Sequence, residues 1–67
     1  MEPSAQYKTD FESTLQTITD NHLEGWRRSN LYSSTNEEDA EARVIATYQF
    51  QACEQEQARR IAEKANA

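Results

Sequence analysis

The sequence predicts an all-α fold: an antiparallel helical hairpin that self-associates into a dimeric four-helix bundle. Three observations predict it. From Asn36 to Lys64 there is no Gly or Pro, and Ala, Glu, Gln and Arg, good helix formers, dominate. A shorter stretch, Asp10 to Ser29, carries apolar residues at steps of three and four. The longer stretch has two apolar seams on different faces, one for a helix of the same chain and one for a partner.

Met1 to Lys8 is ambiguous as a sequence. Pro3 and Ser4 are able to open a helix, whereas Thr9 and Glu12 form a capping box with Asp10 in the first turn. The reading adopted is a helix firm from Asp10. Its seam runs Phe11, Leu15, Ile18, His22, then Gly25 or Trp26, then Ser29, a coiled-coil-like stripe with a weak far half. Gly25 is the main obstacle, since interior glycine costs roughly 1 kcal/mol against Ala. Length favours continuity past it: a helix from Asp10 to Ser29 spans about 30 Å beside a second of about 42 Å, at 1.5 Å per residue, and a stop at Gly25 would leave more of the second without a neighbour. A glycine beside Trp26 also suits a close helix approach. The first helix is placed at about 10–29.

A loop is expected at about 30–35, where LYSST is the most loop-like stretch and Leu31 and Tyr32 would fold over the core end. The second helix, about 36–64, starts at a capping box, Thr35 with Glu38 or Ser34 with Glu37. Acidic residues at its start and Arg59, Arg60 and Lys64 at its end match the helix dipole. One seam, with Ala40, Val44, Ile45, Tyr48, Ala52 and Ala62, is assigned to the first helix. The other, Ala46, Phe50, Cys53 and Ile61, is assigned to a dimer interface. With the turn near Ser33, Ile18 falls opposite Tyr48.

Sixty-seven residues allow one domain, 1–67, and a monomer of this size buries only about 60% of its unfolded surface. A single cysteine forbids an internal disulfide. No signal-like or membrane-spanning apolar run is present, so a reduced, cytoplasmic setting is expected. A net charge of −5 argues against broad nucleic-acid or anionic-membrane binding, which need clustered cations.

No catalytic or metal motif stands out in the sequence. His22 and Cys53 are each unique, a zinc site wants four ligands, and a cysteine nucleophile wants an adjacent base. Glu37, Glu38, Asp39 and Glu41 read as helix-start charge. No Gly-rich loop is present to cradle a phosphate. No enzyme activity, cofactor or metal is therefore expected. The remaining candidates are surfaces. Arg27, Arg28, Arg59 and Arg60 read as dipole-compensating charge or as contacts to an acidic protein or an RNA backbone. Trp26 reads as core or as a partner anchor, and Tyr32 equally as either.

In size, acidity and hairpin layout the chain resembles the small dimeric helical regulators carried by plasmids and phages, of which the RNA-binding copy-number regulator Rop is an example. The resemblance is architectural, and no RNA-contact motif aligns residue by residue. The function expected is a non-enzymatic protein-binding module acting as a homodimer, a regulator of a protein partner. The alternative is a Rop-like RNA- or DNA-binding regulator using the Arg pairs.

Overall fold

The computed structural model describes residues 3–66. They are all-helical, with three helices and no strand: α1 (Ala5–Leu15), α2 (Asp20–Asn36) and α3 (Ala40–Asn66). Among them no helix is long and apolar enough to cross a membrane.

The first helix begins a full turn before the expected Asp10. Ser4 is extended and its hydroxyl accepts the Tyr7 amide at 3.1 Å, so Ser4 caps α1 and Thr9 lies inside it. The helix then stops at Leu15, in the middle of the stretch expected to run unbroken to Ser29. The reason is local chemistry in Thr14, Thr17, Ile18 and Thr19, four β-branched residues within six. Such side chains are stiff, and threonine hydroxyls compete for backbone groups. Thr17 donates to the Thr14 carbonyl at 2.7 Å, and the Gln16 and Thr17 amides turn back to the Ser13 and Thr14 carbonyls. Thr19, extended at ψ 162°, accepts the His22 amide and caps α2, with Asp20 in the favourable first turn.

The second helix passes through Gly25, as the length argument required, but no close approach explains the glycine: a Cβ there would meet nothing within 4 Å. It also passes through the whole of the expected loop. Ser34 donates to the Leu31 carbonyl at 2.7 Å and Thr35 to the Tyr32 carbonyl at 3.1 Å. Both hydroxyls thus satisfy end-of-helix carbonyls, where the capping boxes at Ser34 and Thr35 called for acceptors facing forward. Leu31 and Tyr32 are exposed, Tyr32 by 70%, and do not plug the core.

The true connection is Glu37–Asp39. The Arg43 guanidinium closes it by donating to the Glu37 and Glu38 carbonyls at 2.8 and 3.1 Å. The Asp39 carboxylate takes the Glu41 amide at 3.3 Å.

Helices α2 and α3 run antiparallel: Asp20 meets Arg60, Glu24 meets Gln57, and Arg27 lies over Phe50. Helix α1 runs parallel to α3, with Tyr7 at Gln49, Phe11 and Glu12 at Tyr48, and the Leu15 carbonyl at Arg60. The later turn moves the register, so Ile18 sits by Arg60 and not opposite Tyr48. The core is thin. Leu15, Leu23, Ala52 and Cys53 form it, with Phe11, Ile18 and Tyr48 packed against them. The molecule measures 42 × 24 × 15 Å with a radius of gyration of 12.5 Å, against about 11 Å for a compact chain of this length.

Candidate functional site

The spacing Glu-x-x-Arg-Arg occurs twice, at Glu24-Arg27-Arg28 and at Glu56-Arg59-Arg60. On a helix, residues three and four apart are neighbours, so each glutamate meets both of its arginines. In α2, Arg27 grips Glu24 through two bonds of 2.8 and 2.7 Å and Arg28 adds a third at 2.7 Å. In α3, Arg59 grips Glu56 at 2.8 and 2.6 Å and Arg60 adds one at 2.7 Å. Arg59 also pairs with Glu63. Both carboxyls are held down by these guanidiniums. Glu24 falls well below the usual range, through Arg27 first, then Gln57 and Arg28. Glu56 is lowered to about 2, with Arg59 the main cause and burial opposing it.

The two clusters differ beyond the helix. The Arg28 side chain is 76% exposed and, among the described residues, bonds only to Glu24. Arg60 is 17% exposed and spans the α1–α2 corner. It donates to the Asp20 carboxylate at 2.7 Å, the Leu15 carbonyl at 2.7 Å and the Ile18 carbonyl at 2.8 Å. Leu15 and Ile18 carry carbonyls that the end of α1 leaves without intrahelical partners. Arg60 therefore caps α1 from another helix. Asp20, which also meets Lys64 at 3.7 Å, has its pKa lowered, first by Arg60.

A second cluster is aromatic. Phe11 stacks on Tyr7 and on Trp26 at 6.3 and 6.0 Å between ring centroids, and Tyr48 tilts against Phe11 at 5.9 Å. The Tyr48 hydroxyl donates to Glu12 at 2.7 Å; burial, then that carboxylate, pushes its pKa up. Lys8 lies 5.5 Å above the Tyr48 ring. Trp26 thus packs within the chain while keeping one edge exposed.

The residues expected at a dimer interface separate. Cys53 is fully buried in the core cluster with Leu23 of α2, and Ala46 is nearly buried. Phe50 is half-buried beneath Arg27, and Ile61 is 69% exposed. Two residues of the seam assigned to a partner, Phe50 and Cys53, thus pack beside α2 of the same chain. Of the seam assigned to the first helix, Ala40, Val44 and Ile45 are exposed. Beside them an open groove of about 510 Å³ is lined by Pro3, Lys8, Ala40, Val44, Thr47 and Tyr48.

Burial pushes the Cys53 thiol pKa up, against a smaller opposing effect of Arg27, the opposite of what a nucleophile needs. His22 is exposed. Among the described residues no three His, Cys, Asp or Glu side chains gather as a metal site. The arginine clusters and the Tyr48–Glu12 bond lie outside what the sequence analysis predicts. The repeated Glu-x-x-Arg-Arg was a visible signal for the first, and nothing local announced the second. The chain matches no protein-family profile, no curated protein and no solved structure.

Proposed function

We propose that this chain is a small non-enzymatic helical module that acts by binding protein, first a second copy of itself and, as a homodimer, a further protein partner. The observation that carries the reading is the imbalance of its apolar residues. Leu15 and Leu23 are its only fully buried large aliphatic side chains among the described residues, while Leu31, Tyr32, Val44, Ile45 and Ile61 stay exposed. The surface of 4827 Å² exceeds the roughly 4,300 Å² expected for a compact monomer of 7.7 kDa. A dimer is the simplest way to cover that surface.

The nucleic-acid alternative is supported less. Arg27, Arg59 and Arg60 are committed to glutamates of their own helices, leaving little free cation to displace counterions from a phosphate backbone. The test is light scattering coupled to size exclusion across micromolar to millimolar concentrations. The expected mass is that of a dimer, and Val44→Asp or Ile45→Asp shifts it towards the monomer. A monomer mass throughout overturns the reading.

A further inference from the structure

Local β-branched and capping chemistry favours the α1–α2 corner, but no residue in it has a backbone that requires a turn. Residues 16–19 are Gln, Thr, Ile and Thr, with no Gly or Pro, and no residue of the described chain has a positive φ. Gln16 is still helical at φ −69° and ψ −17°, and Thr19 departs chiefly in ψ, at 162°. Among the described residues, the amides of Ile18, Thr19, Asp20 and Asn21 donate to no backbone carbonyl. In a continuous helix they would bond to the carbonyls four residues back. The apolar steps of three and four also run straight through the corner, from Phe11 to Ser29. Against this stand the Thr19 cap and Arg60, which reaches from α3 to occupy the Leu15 and Ile18 carbonyls. Those are the two carbonyls that a continuous helix would give to the Thr19 and His22 amides.

We propose that the corner is a hinge latched by Arg60, and that the dimer forms by exchange of α1. When the corner straightens, α1 and α2 become one helix, and α1 is carried away from its own α3. Its apolar face, with Phe11 and Leu15, then has one ready complement: the surface around Tyr48 and Ala52 vacated on a second copy. Exchange of an identical element makes the α1 contacts of the closed monomer again between chains, apart from those at the corner itself, so the occupant is specified by the fold, and Val44 and Ile45 are left to a further contact between the joined copies. The proposal rests on the self-association reading above and adds how the dimer is joined.

Asp20→Pro tests it. Proline is favoured at the first position of a helix, and Thr19 already has the extended ψ that a residue before proline prefers. The closed corner therefore accepts the change. A continuous helix does not, because the ring lacks the amide and clashes with the Gln16 carbonyl. Asp20→Ala controls for the lost Arg60 contact. The expected result is a dimer weakened at least tenfold in Asp20→Pro and not weakened in Asp20→Ala.

A second measurement serves if the proline variant folds poorly. Gln16 and Gln55 line one small groove between α1 and α3, so Gln16→Cys with Gln55→Cys, in a Cys53→Ala background, reports which chain α1 lies on. Oxidation of a dimeric sample should give covalent dimers on a non-reducing denaturing gel. Intrachain-linked monomers from a sample of dimer mass would overturn the exchange and leave self-association standing. A wild-type chain that is monomeric at every concentration removes both.

Discussion

The two Glu-x-x-Arg-Arg clusters are the same local object put to two uses. In each, the first arginine holds its glutamate through two bonds and the second adds one more. Arg28 ends there, in solvent. Arg60 goes on to fasten the corner between two other helices. Helical spacing is enough to form either cluster, but only the chain that returns beside α3 gives Arg60 something further to hold. The comparison teaches that an exposed ion-pair motif and a structural latch can share one sequence pattern, so that burial and not spacing tells them apart.

The strongest way to break that comparison is to remove what each cluster stands beside. Leu15, whose carbonyl Arg60 holds, is 1% exposed in the core. Leu15→Ala should cost about 2–4 kcal/mol, from lost burial and the cavity left behind. Leu31, one turn beyond Arg27 and Arg28, is exposed, and Leu31→Ala should stay within about 0.5 kcal/mol. Urea melts of the two variants decide it. Comparable losses would mean that α1 is not held at this corner.

Acid sharpens the same comparison, with a smaller effect because solvent reaches parts of both clusters. The folded pKa of Glu56, about 2, lies below its ordinary 4.5. A carboxyl lowered on folding contributes stability that is complete above its unfolded pKa and fades as pH falls towards the folded value. The melting temperature should therefore drop between about pH 4.5 and 2. Glu24 is lowered further still, but its side chain is a third exposed and solvent screens it; Glu56→Gln should therefore flatten that drop more than Glu24→Gln, since Glu56 is 7% exposed and its partner Arg60 ties three helices together. An equal flattening by both would show that the tertiary reach of Arg60 adds nothing.

Much of this was legible in sequence, and the failures have physical causes. The helicity of α3, its polarity and the run through Gly25 follow from propensity and length. The two-seam pattern was visible too, but a helical wheel cannot say which seam the chain itself will cover. That depends on where the turn falls, and Glu37–Asp39 carries neither Gly nor Pro to mark it. LYSST looked like a loop because Ser and Thr favour caps and turns. Within α2 the same hydroxyls bond backwards and close the helix end. The corner at 16–19 went unseen because its apolar periodicity is unbroken and its latch, Arg60, lies more than 40 residues away. Of the candidate contact residues, Trp26 is shared between core and surface. Arg27 and Arg60 are held internally, Arg28 is tied to Glu24 at the surface, and Tyr32 is exposed.

The smallest effect asks how much of the corner is local. Thr19 and Thr35 are both threonines that sequence alone allows as helix caps, and the chain uses only Thr19. Its hydroxyl accepts the His22 amide at 3.2 Å, whereas the Thr35 hydroxyl donates backwards to the Tyr32 and Leu31 carbonyls. Thr19→Ala should cost about 1 kcal/mol, the usual worth of a cap, because nothing else on α2 replaces that acceptor. Thr35→Ala should cost at most about 0.5 kcal/mol, since its exposed end of α2 can turn to water for the same carbonyls. In an Arg60→Met background the two should part further. With the latch gone, the Thr19 cap is the main tie still favouring a turned corner, and its loss should then be felt as a change in dimer affinity as well as in the melt. If Thr35→Ala proves the costlier of the pair, α2 ends earlier than Asn36 and the connection lies nearer LYSST. If Thr19→Ala is silent in both backgrounds, Arg60 alone turns the chain.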